Sequence, residues 1–294
     1  MLARIITGLA AGAAYALVAV GVVLIYKCTR ALSIAQGEIG AFGFFIGLRW
    51  AARGIPTLGW HPARFVTLLI AVLVGALLGG IIERVVMRPL VGRPPLDALV
   101  ATLGVALFLA LLEKELFGTA TQFAPSPVGE WKLVVAGATL TAPRVLALAL
   151  AAAVALATYV FFSRTRFGLA VRATTGDPTV ARLMGIPVNR VYRFAWVAAG
   201  ALAGLAAALL GPAFGGLTPF AMTKFSLRAL AGAVIGGLDS IWGAIIGSLL
   251  VGVLEAVVGG QFRTSGASEL AVLVLVIATL VARPQGLFGA EAAS

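Results

Sequence analysis

Very little in this sequence could support covalent chemistry. Its 294 residues include one cysteine, Cys28, and one histidine, His61. A lone cysteine excludes an intramolecular disulfide, and without a Cys/His cluster there is no metal-ligand set. A single histidine in a polar loop gives histidine-based catalysis no support. Charged residues make up only 11% of the chain, against roughly a quarter in soluble domains. No G-x-x-x-x-G-K-[ST] occurs, so any ATP chemistry must come from another chain. G-x-S-x-G and H-E-x-x-H are also absent, which leaves intramembrane hydrolysis without a motif. The chain is therefore expected to be no enzyme and to bind no metal or cofactor of its own.

What is present is apolar. Hydrophobic residues form 61% of the chain, and the mean hydropathy is +1.06. Apolar runs of about 20 residues recur along its whole length, the signature of helices that cross a bilayer. The fold class expected is all-α, a polytopic membrane helix bundle, with 1–294 forming a single transmembrane domain. The net charge of +11 sits mostly in short loops. That pattern points to cytoplasmic retention of loops and not to nucleic acid. The first run, 5–26, would span about 33 Å as a helix. This exceeds a signal-peptide core, so it is read as the first membrane helix.

Eight further segments follow, at about 32–48, 65–87, 97–117, 144–163, 193–211, 226–238, 241–258 and 269–282. That gives nine crossings within a range of about 8–10 segments, fewer if the two short ones are re-entrant. The loop 118–143 contains Pro125, Pro127, Trp131 and Pro143, and its KLVVAGATLT portion suggests a small hairpin. Six G-x-x-x-G pairs fall inside the segments: Gly8/Gly12, Gly43/Gly47, Gly75/Gly79, Gly200/Gly204, Gly232/Gly236 and Gly243/Gly247. Small residues at this spacing let helix backbones approach closely in lipid, so they predict a tightly packed bundle.

Two short segments are interrupted by glycine and carry polar residues. One opens with Ser33 and Gln36 as an S-x-x-Q capping box, followed by Gly37 and Glu38. The other ends on Gly236 and Gly237, with Asp239 next and Ser240 as N-cap of the following helix. Broken helices in the two halves of a transporter point to its pathway or gate. These eight residues are the candidates for that role. Glu38, roughly 8 Å into its segment, is costly there unless wetted or paired. The other reading is a buried pair with Arg30 or with a neighbouring helix.

The one substantial polar island in the second half is 164–193. It holds six arginines (Arg164, Arg166, Arg172, Arg182, Arg190 and Arg193) against one acid, Asp177. Asp177 followed by Pro178 reads as an N-cap and first helical position. Gly185 then closes a short helix over 178–184. Lys and Arg totals on the two sides of the membrane barely differ, 12 against 10. Orientation therefore rests on this cluster and on Arg84, Arg88 and Arg93. Both place the basic loop 164–193 and the C-terminus in the cytoplasm, with the N-terminus outward.

Four stretches carry a resemblance to a known family. They are 32–40 (LSIAQGEIG); 164–186, with RTRFG, Asp177-Pro178, Ala181-Arg182-Leu183 and Gly185; 229–255, with Gly236-Gly237 and Gly243-Ala244; and 283–289 (RPQGLFG). In this order they resemble the permease subunits of branched-chain amino acid ABC importers, the LivH-type family, across nearly the whole chain. The resemblance implies a subunit of the bacterial inner membrane paired with a second, related permease. It also implies two cytoplasmic ATPases that use ATP, and a periplasmic or extracellular binding protein that delivers substrate. The helix at 178–184 then looks like the coupling helix, with Asp177, Pro178, Ala181, Arg182, Leu183, Met184 and Gly185 as its residues. A departure is Gln36, where many relatives have histidine. Relatives also carry urea or short amides. Outside the family, the competing reading is a stand-alone secondary transporter in which Glu38 or Asp239 carries a coupled proton or ion.

Overall fold

A computed structural model describes residues 1–52, 62–124, 126, 128–129, 131–135, 137–262 and 266–289. His61, Pro125 and Pro127, singled out in the sequence, lie outside them. The chain is a polytopic helical membrane protein, and each of the nine expected segments is a helix. These are α1 (Leu2–Thr29), α2 (Gln36–Ala52), α3 (Pro62–Ile82), α4 (Pro95–Phe117), α5 (Ala142–Arg164), α8 (Val188–Ala213), α9 (Ala221–Gly236), α10 (Ile241–Gln261) and α11 (Ala267–Ala282). Two more, α6 (Arg166–Gly176) and α7 (Pro178–Leu183), occupy the basic stretch. Among the described residues, six helices are long and apolar enough to cross a membrane; α2, α9 and α11 are shorter. The proposed hairpin forms too, with β1 (Lys132–Val135) antiparallel to β2 (Ala138–Thr141).

Helix α1 is apolar on all sides, and such a helix belongs inside a bundle. It is buried from Ala13 through Ile25 and packs against α10, α8, α9 and α5. By contrast α3, α4, α5 and α11 expose rows of leucine and valine, such as Leu69, Leu73 and Leu77 on α3. All six glycine pairs lie at close seams. Gly8 and Gly12 face Val253 and Leu249 of α10; Gly43 and Gly47 face Ala71 and Thr67 of α3. Gly75 and Gly79 meet Gly200 and Trp196 of α8, with Gly204 on Ala71; Gly232 and Gly236 meet Ser248 and Gly243. At each of these pairs an added Cβ would fall within 3 Å of the neighbouring helix. The helices run antiparallel at each of these seams; α2–α3 and α9–α10 are consecutive in the chain, whereas α1–α10 and α3–α8 join distant parts of it. Helix α3 ends in a π-helical turn, Glu83–Met87, and a 3-10 turn, Arg88–Leu90.

Two local expectations change. Helix α2 begins at Gln36, so Ser33 does not cap it. Residues before it are held by Thr102 of α4, whose Oγ1 accepts from Ile34 N (3.5 Å) and donates to Leu32 O (3.2 Å). A partner on another helix thus outweighs the local capping box, and Glu38 stands in the first turn. The basic stretch is also more helical than expected. Thr165 Oγ1 accepts from Gly168 N (2.9 Å) and starts α6. Gly168, Val171 and Thr174 of α6 are buried, a three-residue periodicity that the arginines and glycine conceal.

Candidate functional site

Helix α7 is defined at both ends by its own residues. Asp177 Oδ1 accepts from Thr179 N (2.7 Å) and Val180 N (3.1 Å). Those donors, Val180 first, hold its carboxyl below the usual carboxylate range. Pro178 fills the first helical position, where no N–H is needed. The helix ends at Leu183, one residue earlier than read from the sequence, with Met184 as C-cap. Gly185 has φ +81°. Ile186 N donates to Ala181 O and Gly185 N to Arg182 O, each 3.0 Å. This is the complete Schellman pattern, closed by contact of Ile186 with the cluster around Ala181.

The two faces of α7 differ sharply. Ala181 is buried in a cluster with Val171 of α6, Val188 and Val191 of α8, and Leu24 and Cys28 of α1. Leu183 and Met184 are 82% and 77% exposed, and Arg182 is exposed beside them. A short rigid rod therefore presents an apolar tip with a cation, while its root reaches the central helix.

At the start of α2, Ser33, Gln36 and Glu38 are all buried. Glu38 Oε1 accepts from Thr223 Oγ1 of α9. Its carboxyl lies against that of Glu113 on α4, itself fully buried. Gly37 lies against Met222 O and Ser226 Oγ of α9, where no side chain fits. Of the twelve buried polar side-chain atoms left without a hydrogen-bond partner among the described residues, seven belong to Ser33, Gln36, Glu38, Glu113 and Ser226. Each such atom costs about 1–3 kcal/mol when no water or ligand serves it. Glu113, Thr223 and Ser226 carry no signal in the sequence. Glu113 reads as part of the polar EKE end of its segment, and the two hydroxyls as ordinary helix residues.

The other broken segment has different surroundings. Gly236 packs on the backbone of Gly243, and Gly237 has φ +107°. Leu287 N and Phe288 N donate to Ile235 O (2.8 Å) and Gly236 O (2.9 Å), so the C-terminal stretch caps α9. Ser240 Oγ accepts from Gly243 N (3.0 Å) as the predicted N-cap. Arg30 pairs with Asp239 at 2.7 Å, not with Glu38, and Lys27 Nζ donates to Asp239 O (3.3 Å). The two groups of candidates are therefore not one site. The first is a buried polar cluster; the second ties α1 to the α9–α10 turn.

The family described as branched-chain amino acid transport system / permease component matches residues 4–282. The chain belongs to this family. It is 30% identical to the high-affinity branched-chain amino acid transport system permease protein LivH of Escherichia coli (strain K12), over 98% of this chain and 95% of that protein. Identity is 31% to the corresponding protein BraD of Pseudomonas aeruginosa, over the same shares. The probable branched-chain amino acid transport permease protein LivH of Methanocaldococcus jannaschii is 28% identical, covering 94% of this chain and 88% of that protein. Near-complete coverage from both sides means that α7 and the α2 cluster lie within the matched part of the permease family.

Proposed function

We propose that this chain is the permease subunit of an ATP-driven importer of amino acids, branched-chain ones first, in the bacterial cytoplasmic membrane. It works with a second, related permease, two cytoplasmic ATPases and a substrate-binding protein on the outer side, and ATP is consumed by the ATPases. The basic stretch 164–193 and the C-terminus face the cytoplasm. The observation that carries the coupling role is α7: a helix capped at both ends, with an exposed Leu183–Met184 tip and a root packed on α1 and α8. A loop retained only for topology would need the arginines, but neither the caps nor the apolar tip. ATP binding closes the ATPase pair and displaces α7. Through Ala181 the displacement reaches Leu24 and Cys28, and the bundle switches by rigid-body movement. We place the gate at the first turn of α2, with Ser33, Gln36, Gly37 and Glu38, and give Gly236, Gly237, Asp239 and Ser240 the part of a latch on its neighbour.

The test is purification of the chain from its host in mild detergent, with mass spectrometry of what accompanies it. A parallel sample carries residues 178–184 replaced by a Gly/Ser linker. An ATPase and a second permease should accompany the unaltered chain, and only the ATPase should be lost from the altered one. Recovery of the chain alone would overturn the importer reading. An ATPase retained without α7 would overturn the coupling role.

A further inference from the structure

Beside α7 the bundle holds a half-open cavity of about 370 Å³, bounded by the ends of α1 and α3, the turn into α4, and α6 to α8. Lys27, Arg30, Arg88, Arg93 and Arg182 line it, and among the described residues Glu83 is its one carboxylate. Two of these charges are already answered, Arg30 by Asp239 at 2.7 Å and Glu83 by Arg193 at 3.5 Å. Among the described residues no carboxylate pairs with Lys27, Arg88, Arg93 or Arg182. Arg88, Arg93 and Arg182, together with Lys27, whose ammonium donates only to the Asp239 carbonyl at 3.3 Å, give this concavity an excess of positive charge that an anion would neutralise. Guanidinium forks match phosphate oxygens in pairs, which suits three arginines converging from separate elements.

The volume suits a small molecule or headgroup; small-molecule sites span roughly 300–1,000 Å³. The cavity lies where membrane helices α1 and α3 end, at the boundary of the bilayer. Val91 and Leu96, 44% and 65% exposed, sit at the turn between α3 and α4 and offer acyl chains an apolar exit. We propose that this cavity is a phosphate site that takes the headgroup of an anionic phospholipid, which joins α7 to the ends of α1 and α3. Basic pockets between membrane helices on the cytoplasmic side are suited to such headgroups. This inference rests on the membrane placement of the helices and stands whether or not the importer reading does.

The test titrates the full-length chain in detergent with phosphatidylglycerol and, separately, with phosphatidylcholine of the same acyl chains, reading bound lipid by native mass spectrometry. Phosphatidylglycerol should bind in preference. R88Q, R93Q and R182Q should each weaken it about fivefold, as loss of one cation near an anionic lipid does. R164Q/R166Q removes two exposed arginines of the same basic stretch that do not line the cavity, and should leave binding unchanged. Three results would overturn the proposal: equal binding of both lipids, equal weakening in the control, or competition by inorganic phosphate as strong as by the lipid. Loss of a co-purified ATPase from the cavity variants with lipid binding intact would do the same, assigning the cavity to a protein interface. The variants are compared in phosphatidylcholine for monodispersity, and if one aggregates, the other two are read alone.

Discussion

The seam between α1 and α10 makes a quantitative prediction. A Cβ at position 12 would lie 2.7 Å from both Leu249 Cα and Ser248 O, where an ordinary contact needs at least 3.4 Å. Both obstacles are backbone, so Gly12→Ala must open the seam by about 0.7 Å, and a gap of that size forfeits about a quarter to a half of each dispersion contact it touches. Overpacking of this kind costs about 1–3 kcal/mol. Alanine returns about 1 kcal/mol over glycine as a helix former, for a net loss near 1 kcal/mol. Position 104 on α4 is the matched control. Nothing lies within 4 Å of a Cβ there, so Gly104→Ala keeps only the gain, up to about 1 kcal/mol. The helix-propensity change is common to both, and their difference, about 2 kcal/mol, isolates the seam. Midpoints of thermal unfolding in one detergent read it, with G12A below wild type and G104A at or above it. If G12A were as stable as G104A, close packing at the glycine pairs would not be what holds α1 to α10.

Other predictions follow from single contacts. Arg228 pairs with Glu255 and, at 3.3 Å, with Glu269, while Tyr15 donates to Glu255 at 2.9 Å. E255Q should therefore lower stability by about 1–3 kcal/mol, because Arg228 loses its closer carboxylate and keeps only the exposed Glu269; an unchanged midpoint in the same unfolding assay would contradict this. D177A should raise hydrogen exchange over 179–183, and D177N should raise it less, since Asn also caps; equal exchange in both variants counts against the cap. Because the Asp177 carboxyl is held below its ordinary pKa of 3.8, its capping contribution is complete above that pH and is lost as pH falls through the lower, folded value. Protection of α7 should accordingly be flat from pH 5 to 8. Gly185→Ala, at φ +81°, should loosen the end of α7 in the same experiment and leave exchange in α1 unchanged.

The nine apolar helices and the caps of α7 could be read from the chain because their causes are local. Apolar length sets a span. Asp177-Pro178 and Gly185 set the helix ends through hydrogen bonds a few residues long. Glycine spacing announced close seams, since it needs only one helix to be visible. The start of α2 escaped, because Thr102, some 70 positions away, takes the backbone that Ser33 would have organised. Helix α6 escaped because its buried face is defined by other elements: Gly168 lies against Phe161 and Phe162 of α5, Val171 in the cluster with Leu24 and Val191, and Thr175 Oγ1 beside that face donates to Lys27 O of α1 at 2.9 Å.

Composition and order alone thus determined that this is a membrane helix bundle with a capped basic helix, since hydropathy and capping act within one segment. Which glycine faces which helix was decided only by the fold. So were the neighbours that Glu38 meets, the Thr223 hydroxyl and the Glu113 carboxyl and not Arg30, and so was the convergence of Arg88, Arg93 and Arg182 on one cavity. Each is a contact between elements distant in the chain. A polar side chain's neighbours across a bundle depend on the rotation and depth of helices that packing, not local sequence, sets.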